Sequence, residues 1–264
     1  MAKPLRVGLI GSRFMGKAHS NAWLSSGRFF DLPRDVVMSA VCARDPKATA
    51  AFARRWGWAV STTSWRELVG NPEIDLVDIA TPNDLHAEQA IVALEAGRHV
   101  ACEKPLAGTL EEATRMRDAA IAAKGRGVMT FVWFNYRRCP AVAFAHQLVR
   151  RGRLGRIYHV RAVYLQDWGG PETPLLWRFD AARAGSGAHG DLNAHIVDLA
   201  RFLTGEEIVE VSGAIEKTFI TERQLPPAEG ARGTKRGTGR GRTGRSTVDD
   251  CVLFIGHLSG GGVA

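Results

Sequence analysis

The sequence predicts an α/β protein whose first part is a doubly wound parallel sheet and whose second part is an α+β domain with a large, open, mostly antiparallel sheet. Short apolar strands alternate with helices of ten or more residues as far as Phe134, and longer strands with few helices follow. The alternation is typical of parallel strands covered by helices on both faces. We therefore expect two domains, residues 1–134 and 135–264.

The elements of the first domain follow from apolar runs and helix-capping residues. Asp45-Pro46 is typical of a helix start, and Thr109 with Glu112 forms a capping-box pattern. The predicted strands are residues 5–10, 36–42, 74–80, 98–102 and 128–134, and the predicted helices are 15–24, 47–56, 84–96 and one from the capping box to about Lys124.

In the second domain we predict helices over residues 140–151 and 191–203 and strands over 156–168, 208–220 and 247–257. The last strand runs into a glycine-rich end, which leaves the sheet with an unpaired edge. We therefore expect the sequence to be a C-terminally incomplete version of a longer protein.

The composition is that of an ordinary globular protein, with 45% hydrophobic and 23% charged residues. The 264 residues contain no apolar run long enough for a membrane span and no signal peptide. The four cysteines are scattered, which favours reduced thiols and a cytoplasmic location.

The formal net charge of +8 comes mainly from residues 231–246, whose six basic residues would leave +2 if removed. This Gly/Arg/Thr-rich composition predicts a flexible loop at about 224–246. The alternative is a nucleic-acid-binding arm, but the segment lacks the aromatic residues that stack on bases. We expect no nucleic-acid partner.

A glycine-rich turn follows the first strand. Gly11 and Gly16 fit the first and third glycines of the GxGxxG motif, while Arg13 replaces the middle one. Such a turn between a strand and a helix lets backbone N–H groups bind a pyrophosphate, as in a Rossmann domain. Gly11, Arg13, Phe14, Met15 and Gly16 are therefore candidate cofactor-binding residues.

The second predicted strand ends in Cys42-Ala43-Arg44-Asp45, where an NAD site usually offers a carboxylate to the ribose. Asp45 is explained as a helix cap. Arg44 could contact a 2′-phosphate, which favours NADP over NAD, but it could also be a solvated surface charge. Ala43 and Arg44 are candidate cofactor contacts.

The third and fourth strands also end in polar residues, at the edge of a parallel sheet where ligands bind. Thr81, Pro82, Asn83 and His86 follow the third, although a turn and a helix cap would explain Asn83. Glu103-Lys104-Pro105 follows the fourth. Lys104 could donate to a substrate oxygen or could be an ion-paired surface lysine.

A further polar group lies on the helix predicted near residue 191. Asp191 and His195 are four residues apart and would share one helix face, with Asp198 placed to orient the imidazole. A carboxylate and an imidazole in one cleft can accept an alcohol proton. Adding His189 makes a metal site conceivable, but the spacing matches no standard ligand set and we expect no metal.

Three stretches together resemble the Gfo/Idh/MocA oxidoreductase family. They are GLIGSRFMGKAHSNAW, DIATPNDLHAEQAIVALEAGRHVACEKPLA and GDLNAHIVDLARFLTG, in the family's order and spacing. Leu165–Trp168 and Leu176–Arg178 most resemble the levoglucosan- and inositol-dehydrogenase-like members. The likeness covers residues 4–220 and 247–264.

The resemblance implies an NAD(P)-dependent dehydrogenase acting on CH–OH groups of a sugar, anhydrosugar or cyclic polyol, with hydride passing between substrate and nicotinamide. It implies that Lys104 holds the substrate oxygen, Asp191 supports the polar network and His195 exchanges the hydroxyl proton. It adds Glu103, Lys104, Asn135, Trp177 and Arg178 as cofactor contacts, and Tyr136, Arg137, Trp168 and Asn193 as substrate contacts.

The full-length form is expected to be a homo-oligomer, a dimer or tetramer, with no membrane partner. Two other functions remain open for this fold: an NAD-dependent glycosidase that uses transient oxidation, and a non-catalytic nucleotide-binding or regulatory member.

Overall fold

The computed structural model of the protein describes residues 3–226 and 241–264. The chain divides between Trp133 and Phe134 into two compact units. Among the helices of the described ranges, none combines the length and the apolar character that crossing a membrane requires.

The first unit contains one six-stranded sheet in the order β3-β2-β1-β4-β5-β6. Every neighbouring pair is parallel. This is the order of a doubly wound dinucleotide-binding fold, which confirms the predicted parallel sheet. The strands are β1 (Leu5–Ile10), β2 (Val36–Cys42), β3 (Val60–Thr62), β4 (Leu76–Ile79), β5 (His99–Cys102) and β6 (Thr130–Val132).

Helices cover both faces of this sheet, so its strands are buried on two sides. One apolar cluster packs α3, α4 and α5 against the central strands β1, β2, β4 and β5, and the other packs α1 and α2 against the same four strands. The near-continuous apolar runs of the strands follow from this burial. The helices are α1 (Phe14–Phe29), α2 (Pro46–Trp56), α3 (Trp65–Gly70), α4 (His86–Glu95) and α5 (Leu110–Lys124).

Both predicted helix caps are confirmed. The Asp45 carboxylate accepts a hydrogen bond from the Ala48 N–H at 2.9 Å, with Pro46 opening α2. Thr109 and Glu112 form the reciprocal capping box of α5, with both hydrogen bonds at 3.2 Å. The short β3 and α3 were not predicted, because three and six residues are too few to show a periodic pattern.

The second unit contains helices and two small antiparallel sheets, one of β7 with β10 and one of β8 with β9. The α+β character is confirmed, although among the described residues the antiparallel part consists of two-stranded pieces. Its helices are α6 (Pro140–Arg150), α7 (Ala181–Ala184) and α8 (Ala194–Thr204), and its strands are β7 (Ile208–Lys217), β8 (Glu222–Gln224), β9 (Thr243–Arg245) and β10 (Cys251–Leu258).

The predicted long strand over 156–168 is wrong. Its pairing within the described chain is limited to a bridge between His159 and Val263, where the Val160 N–H donates to the Val263 carbonyl at 2.8 Å. The residues have strand-forming side chains, but a strand also needs a hydrogen-bonding neighbour along its length, and this segment has one at a single point.

Part of the predicted basic loop is a strand. Thr243–Arg245 pairs with Glu222–Gln224, and the Leu225 N–H donates to the Arg242 carbonyl at 2.8 Å. Residues 227–240, which hold the middle of the predicted loop, lie outside the described residues.

Candidate active site

The glycine turn after β1 is shaped by two close backbone approaches. Gly11 has φ +116°, and a Cβ there would lie 2.4 Å from the Ala80 carbonyl oxygen. A Cβ on Gly16 would lie 2.2 Å from the Gly11 carbonyl oxygen. Only glycine fits at either position, so the chain turns tightly from β1 into α1. The turn presents the N-terminus of α1 at the carboxyl edge of the sheet.

The start of α1 is compatible with an anion. Arg13 precedes its first residue and makes no side-chain capping bond, so the first N–H groups of the helix are not capped by that side chain. A helix N-terminus attracts phosphate through its N–H groups and dipole. Arg13 and Phe14 are exposed, and Met15 is half-buried. The bulky residue at the motif's middle position is thus accommodated by pointing outwards.

Three residues follow the end of β2, and they differ in their surroundings. Asp45 caps α2, as predicted. Arg44 is exposed and Ala43 is half-buried. One oxygen of the Asp45 carboxylate thus binds the start of α2, and Arg44 is the basic side chain at this strand end.

The end of β4 leads into a 3-10 turn, Asn83–Leu85. Thr81 and Pro82 are half-buried, and the Thr81 hydroxyl donates to the Gln89 side-chain oxygen at 2.9 Å. Asn83 is buried. The predicted ligand contact of His86 stays a prediction. Its side chain is fully buried, and both ring nitrogens lie 3.0 Å from backbone carbonyl oxygens, those of Thr81 and Pro105.

Lys104 follows β5 and is half-buried beside a cis peptide bond to Pro105. Its neighbour Glu103, a predicted cofactor contact, is buried. One carboxylate oxygen of Glu103 lies 2.9 Å from His19 Nε2, and the other accepts from the Lys104 backbone N–H at 3.2 Å. Glu103 therefore shapes the turn that carries Lys104.

A buried polar cluster under this edge was missed by the sequence analysis. His19 Nδ1 lies 3.0 Å from Asp78 Oδ1, and Asp78 also accepts from the indole N–H groups of Trp23 at 2.7 Å and Trp133 at 2.9 Å. Burial by itself lowers the pKa of His19, but its hydrogen bonds to Asp78 and Glu103 outweigh that effect and raise the pKa to about 10. The available signal was a polar Asp78 inside an otherwise apolar strand.

In the second unit, His195 lies in the first turn of α8 and is buried among aromatic rings. Its ring centroid is 4.6 Å from that of Tyr136 and 5.9 Å from that of Tyr164. The two tyrosine hydroxyls are 2.5 Å apart, and Gln166 donates to Tyr164 at 2.6 Å. Burial and the bond to Tyr136 raise the pKa of Tyr164 to about 12. Tyr164 was not predicted as a site residue.

Asp198 forms an ion pair that the sequence analysis did not predict. Both of its carboxylate oxygens accept from the Arg137 guanidinium, through Nε at 2.8 Å and through Nη2. Asp198 therefore orients Arg137. Arg137 is partly exposed, and it joins the short 3-10 turn Asn135–Arg138 to α8. Asn135 in the same turn is exposed.

The segment that carries Asp191 is a π-helical turn, His189–Asn193, and not the start of a continuous α-helix. The predicted helix over 191–203 is confirmed, but its first turn is π-helical, so the four-residue spacing alone does not place Asp191 beside His195. Asp249 holds the turn by accepting from the N–H groups of Gly187 at 2.6 Å and His189 at 2.7 Å. Asn193 is buried, with its amide nitrogen 3.3 Å from His189 Nδ1.

The aromatic candidate Trp168 lies beside a loop that a buried arginine holds. Arg223 donates to the carbonyls of Gly169 and Gly170 at 2.9 and 2.8 Å, and its guanidinium lies 3.6 Å from the ring centre of Phe179. Phe179 in turn contacts Trp168. Trp177 and Arg178 are half-buried, with Arg178 over the Trp177 ring. Arg223 thus fixes the loop that presents Trp168, and no sequence pattern marked it.

Among the described residues, no group of three or more His, Cys, Asp or Glu side chains is arranged to hold a metal ion.

The sheet order and the glycine turn give the first unit the architecture of a dinucleotide-binding domain, with a lysine at the carboxyl edge of the sheet. The second supplies a buried histidine among aromatic and polar side chains.

Two family models match the chain. The "Oxidoreductase family, NAD-binding Rossmann fold" of the Gfo/Idh/MocA group matches residues 5–132, and the "GFO/IDH/MocA C-terminal domain" matches residues 142–264. The chain belongs to the Gfo/Idh/MocA oxidoreductase family.

Its relatives include levoglucosan dehydrogenase from Pseudarthrobacter phenanthrenivorans, 47% identical over 98% of this chain and 66% of that protein. A 1,5-anhydro-D-fructose reductase from Ensifer adhaerens is 38% identical over 61% of this chain and 47% of that protein. A structure of levoglucosan dehydrogenase in complex with NADH and levoglucosan superposes with a TM-score of 0.88 at 44% identity, over 99% of this chain and 65% of that one. The chain thus spans about two thirds of the length of these levoglucosan dehydrogenases.

Proposed function

We propose that this chain forms part of an NAD(H)-dependent dehydrogenase that oxidises a hydroxyl carbon, or reduces a keto carbon, of an anhydrosugar or related cyclic polyol. The observation that carries the proposal is the carboxyl edge of the six-stranded sheet. It presents both a glycine turn that admits a pyrophosphate and the half-buried Lys104. The likeness to levoglucosan dehydrogenase over 98% of the chain supports the substrate class.

The residues at the first turn fit a dinucleotide. Backbone atoms occupy the space that a Cβ would fill at Gly11 and Gly16, and α1 begins at Phe14, between these two glycines. In this proposal Gly11, Arg13, Phe14, Met15 and Gly16 hold the pyrophosphate, while Thr81, Pro82, Asn83 and Lys104 line the same edge. When bound, the nicotinamide supplies or accepts the hydride.

The chain's own residues handle the substrate oxygen and its proton. Lys104 donates a hydrogen bond to the oxygen of the reacting carbon, which polarises a carbonyl or orients a hydroxyl. His195 exchanges the hydroxyl proton, and Asp191 supports the polar network around it. Tyr136, Arg137, Trp168 and Asn193 are proposed as sugar contacts, and Asn135, Trp177 and Arg178 as cofactor contacts, all from the second unit.

The choice between NAD and NADP depends on Arg44. Arg44 is the charged, exposed side chain at the end of β2 and favours a 2′-phosphate, whereas the structures of levoglucosan dehydrogenase contain NADH. We propose NAD(H) because of that likeness. Binding of NADH and NADPH, measured by fluorescence titration on the wild type and on Arg44→Ala, tests this choice. A tenfold or greater preference for NADPH that Arg44→Ala abolishes (about 1.4 kcal/mol) would reverse it.

The activity test is a panel of levoglucosan, 1,5-anhydrofructose and inositols, followed by the absorbance of the reduced nicotinamide. We expect Lys104→Ala and His195→Ala to lower kcat by about 10²–10⁴-fold, the usual contribution of a proton-transfer or polarising group. Lys124→Ala is the control, since Lys124 is an exposed lysine in the last turn of α5.

If both variants retain full turnover, the proposed roles are wrong. Release of a sugar from a glycoside without net cofactor reduction would identify the glycosidase alternative. Cofactor binding with no turnover of any sugar would favour a nucleotide-binding, non-catalytic protein.

A further inference from the structure

Lys104 lies between two residues that buried histidines hold in place. Before it, Glu103 binds His19, a residue of α1. After it, the Pro105 carbonyl lies 3.0 Å from His86 Nδ1, at the start of α4. The lysine therefore stands on a short turn whose flanks are tied to the helices that follow β1 and β4.

The His19 side of this turn is ionic. Both ring nitrogens of His19 face carboxylate oxygens, Nδ1 towards Asp78 at 3.0 and 3.1 Å and Nε2 towards Glu103 at 2.9 Å. A carboxylate can only accept, so both nitrogens must donate, and the ring carries a positive charge. The raised pKa of His19, about 10, agrees with this charge state.

The ring of His19 is also prevented from turning. Asp78 is fully buried and is itself held by the indole N–H groups of Trp23 and Trp133. The Trp133 ring packs edge-on against His19 at 5.4 Å between centroids. The imidazolium is therefore fixed by the core, and its hydrogen bond to Glu103 restrains the carboxylate of that residue.

The Glu103 carboxylate in turn restrains the backbone of Lys104. Its second oxygen accepts the backbone N–H of Lys104 at 3.2 Å. On the other side, His86 joins the carbonyls of Thr81 and Pro105. Burial lowers the pKa of His86, while the bonds to the two carbonyls act in the opposite direction.

We propose that His19 is a positioning residue for Lys104, acting as an imidazolium through Glu103, and that His86 fixes the opposite flank of the same turn. The catalytic part of this inference rests on the proposed function, because it gives Lys104 a substrate oxygen to hold. The positional part does not, and it can be measured without substrate.

The first test measures the position of Lys104 by trace acetylation with acetic anhydride, quantified by peptide mass spectrometry relative to the exposed Lys47. We expect His19→Gln to change the relative rate at Lys104 by about threefold or more, since small displacements of a held group alter its reactivity. His99→Gln is the matched control. His99 lies at the start of β5, the opposite end of the same strand, and accepts from the Met129 N–H.

The second test separates placement from folding. In His19→Gln, kcat for the sugar should fall by about 10²-fold, the cost of an ångström-scale misplacement, while the stoichiometry and affinity of NADH binding stay near wild type. Glu103→Gln keeps the shape of the acceptor but removes its charge, so it should show the same changes to a smaller degree.

Unchanged Lys104 acetylation in folded His19→Gln and Glu103→Gln would overturn the proposal. If His19→Gln does not fold, Glu103→Gln decides it. If the wild type turns over no sugar, the proposed function fails, and the acetylation rates alone decide whether His19 positions Lys104.

Discussion

At the scale of single residues, Gly11 shows how one missing side chain shapes the cofactor turn. Its φ of +116° and its approach to the Ala80 carbonyl leave no room for a Cβ. We expect Gly11→Ala to destabilise the protein by about 1–3 kcal/mol, the usual cost of a side chain held in such a conformation, and to weaken NADH binding. Urea unfolding and NADH titration measure the two effects.

Gly27→Ala is the matched comparison. Gly27 lies within α1, and nothing comes within 4 Å of a Cβ built on it. We expect this substitution to stabilise the protein by about 0.5–1 kcal/mol, because alanine favours a helix more than glycine does. Equal effects of the two substitutions would contradict the assigned role of Gly11.

The pH dependence of stability tests the charge on His19. Its pKa is about 10 in the folded protein against 6.5 unperturbed, because bonds to Asp78 and Glu103 outweigh the effect of burial. A raised histidine pKa stabilises the fold fully below the unfolded pKa, and the stabilisation is lost as the pH rises through the folded one. We therefore expect the stability difference between wild type and His19→Gln to shrink steadily from pH 6.5 to pH 10.

Urea unfolding at several pH values gives this difference directly. The same difference in the free energy of unfolding, measured between wild type and His99→Gln, controls for a general effect of removing a histidine. A difference that is constant or grows over this range would show that His19 is not charged in the folded protein.

At the scale of elements, the π-helical turn before α8 is held from outside the helix. Asp249 is buried and accepts both the Gly187 and the His189 N–H groups. In Asp249→Ala, the Gly187 and His189 N–H groups lose their acceptor; both hydrogen bonds are part-buried, so we expect a loss of about 0.5–1.5 kcal/mol for each. We expect faster hydrogen exchange at these two amides and reduced turnover, because the turn carries Asp191.

Thr109→Ala provides a comparison in the first unit of the chain. It removes the capping box of α5, which should cost about 1 kcal/mol without changing exchange at Gly187 or His189. If Asp249→Ala leaves exchange at those amides unchanged, the turn is held by other contacts.

At the scale of the whole molecule, the face of the β7–β10 sheet is unusually apolar. Ile215 is paired with Leu253 and therefore lies on the same face, as does Ile255 two residues further on. Each of the three is more than half exposed, and exposed apolar patches mark interaction surfaces. We expect the contact between subunits of the homo-oligomer to cover this face.

We expect Ile215→Lys combined with Ile255→Lys to reduce self-association in analytical ultracentrifugation. Ile121→Lys is the control, since Ile121 is equally exposed on α5 of the other unit. Unchanged association in the double variant would remove this sheet face from the interface.

The sequence was sufficient for the features that depend on local chemistry. Alternating apolar runs predicted the parallel sheet, and the caps at Asp45 and Thr109 are satisfied by neighbours within three residues. The Gly11 turn and Lys104 were found because they directly follow strands. The candidate site was therefore partly visible, as single residues at strand ends.

Only the tertiary structure decided which residues meet. His19, Asp78 and Glu103 are 59 and 84 residues apart in the pairs they form, and no periodic pattern records such contacts. For the same reason the pair of Asp198 with Arg137 was not predicted, and residues 156–168 were predicted to pair along their length. Local propensity is written in neighbouring residues, whereas hydrogen-bond partners and burial depend on chain segments that folding alone brings together.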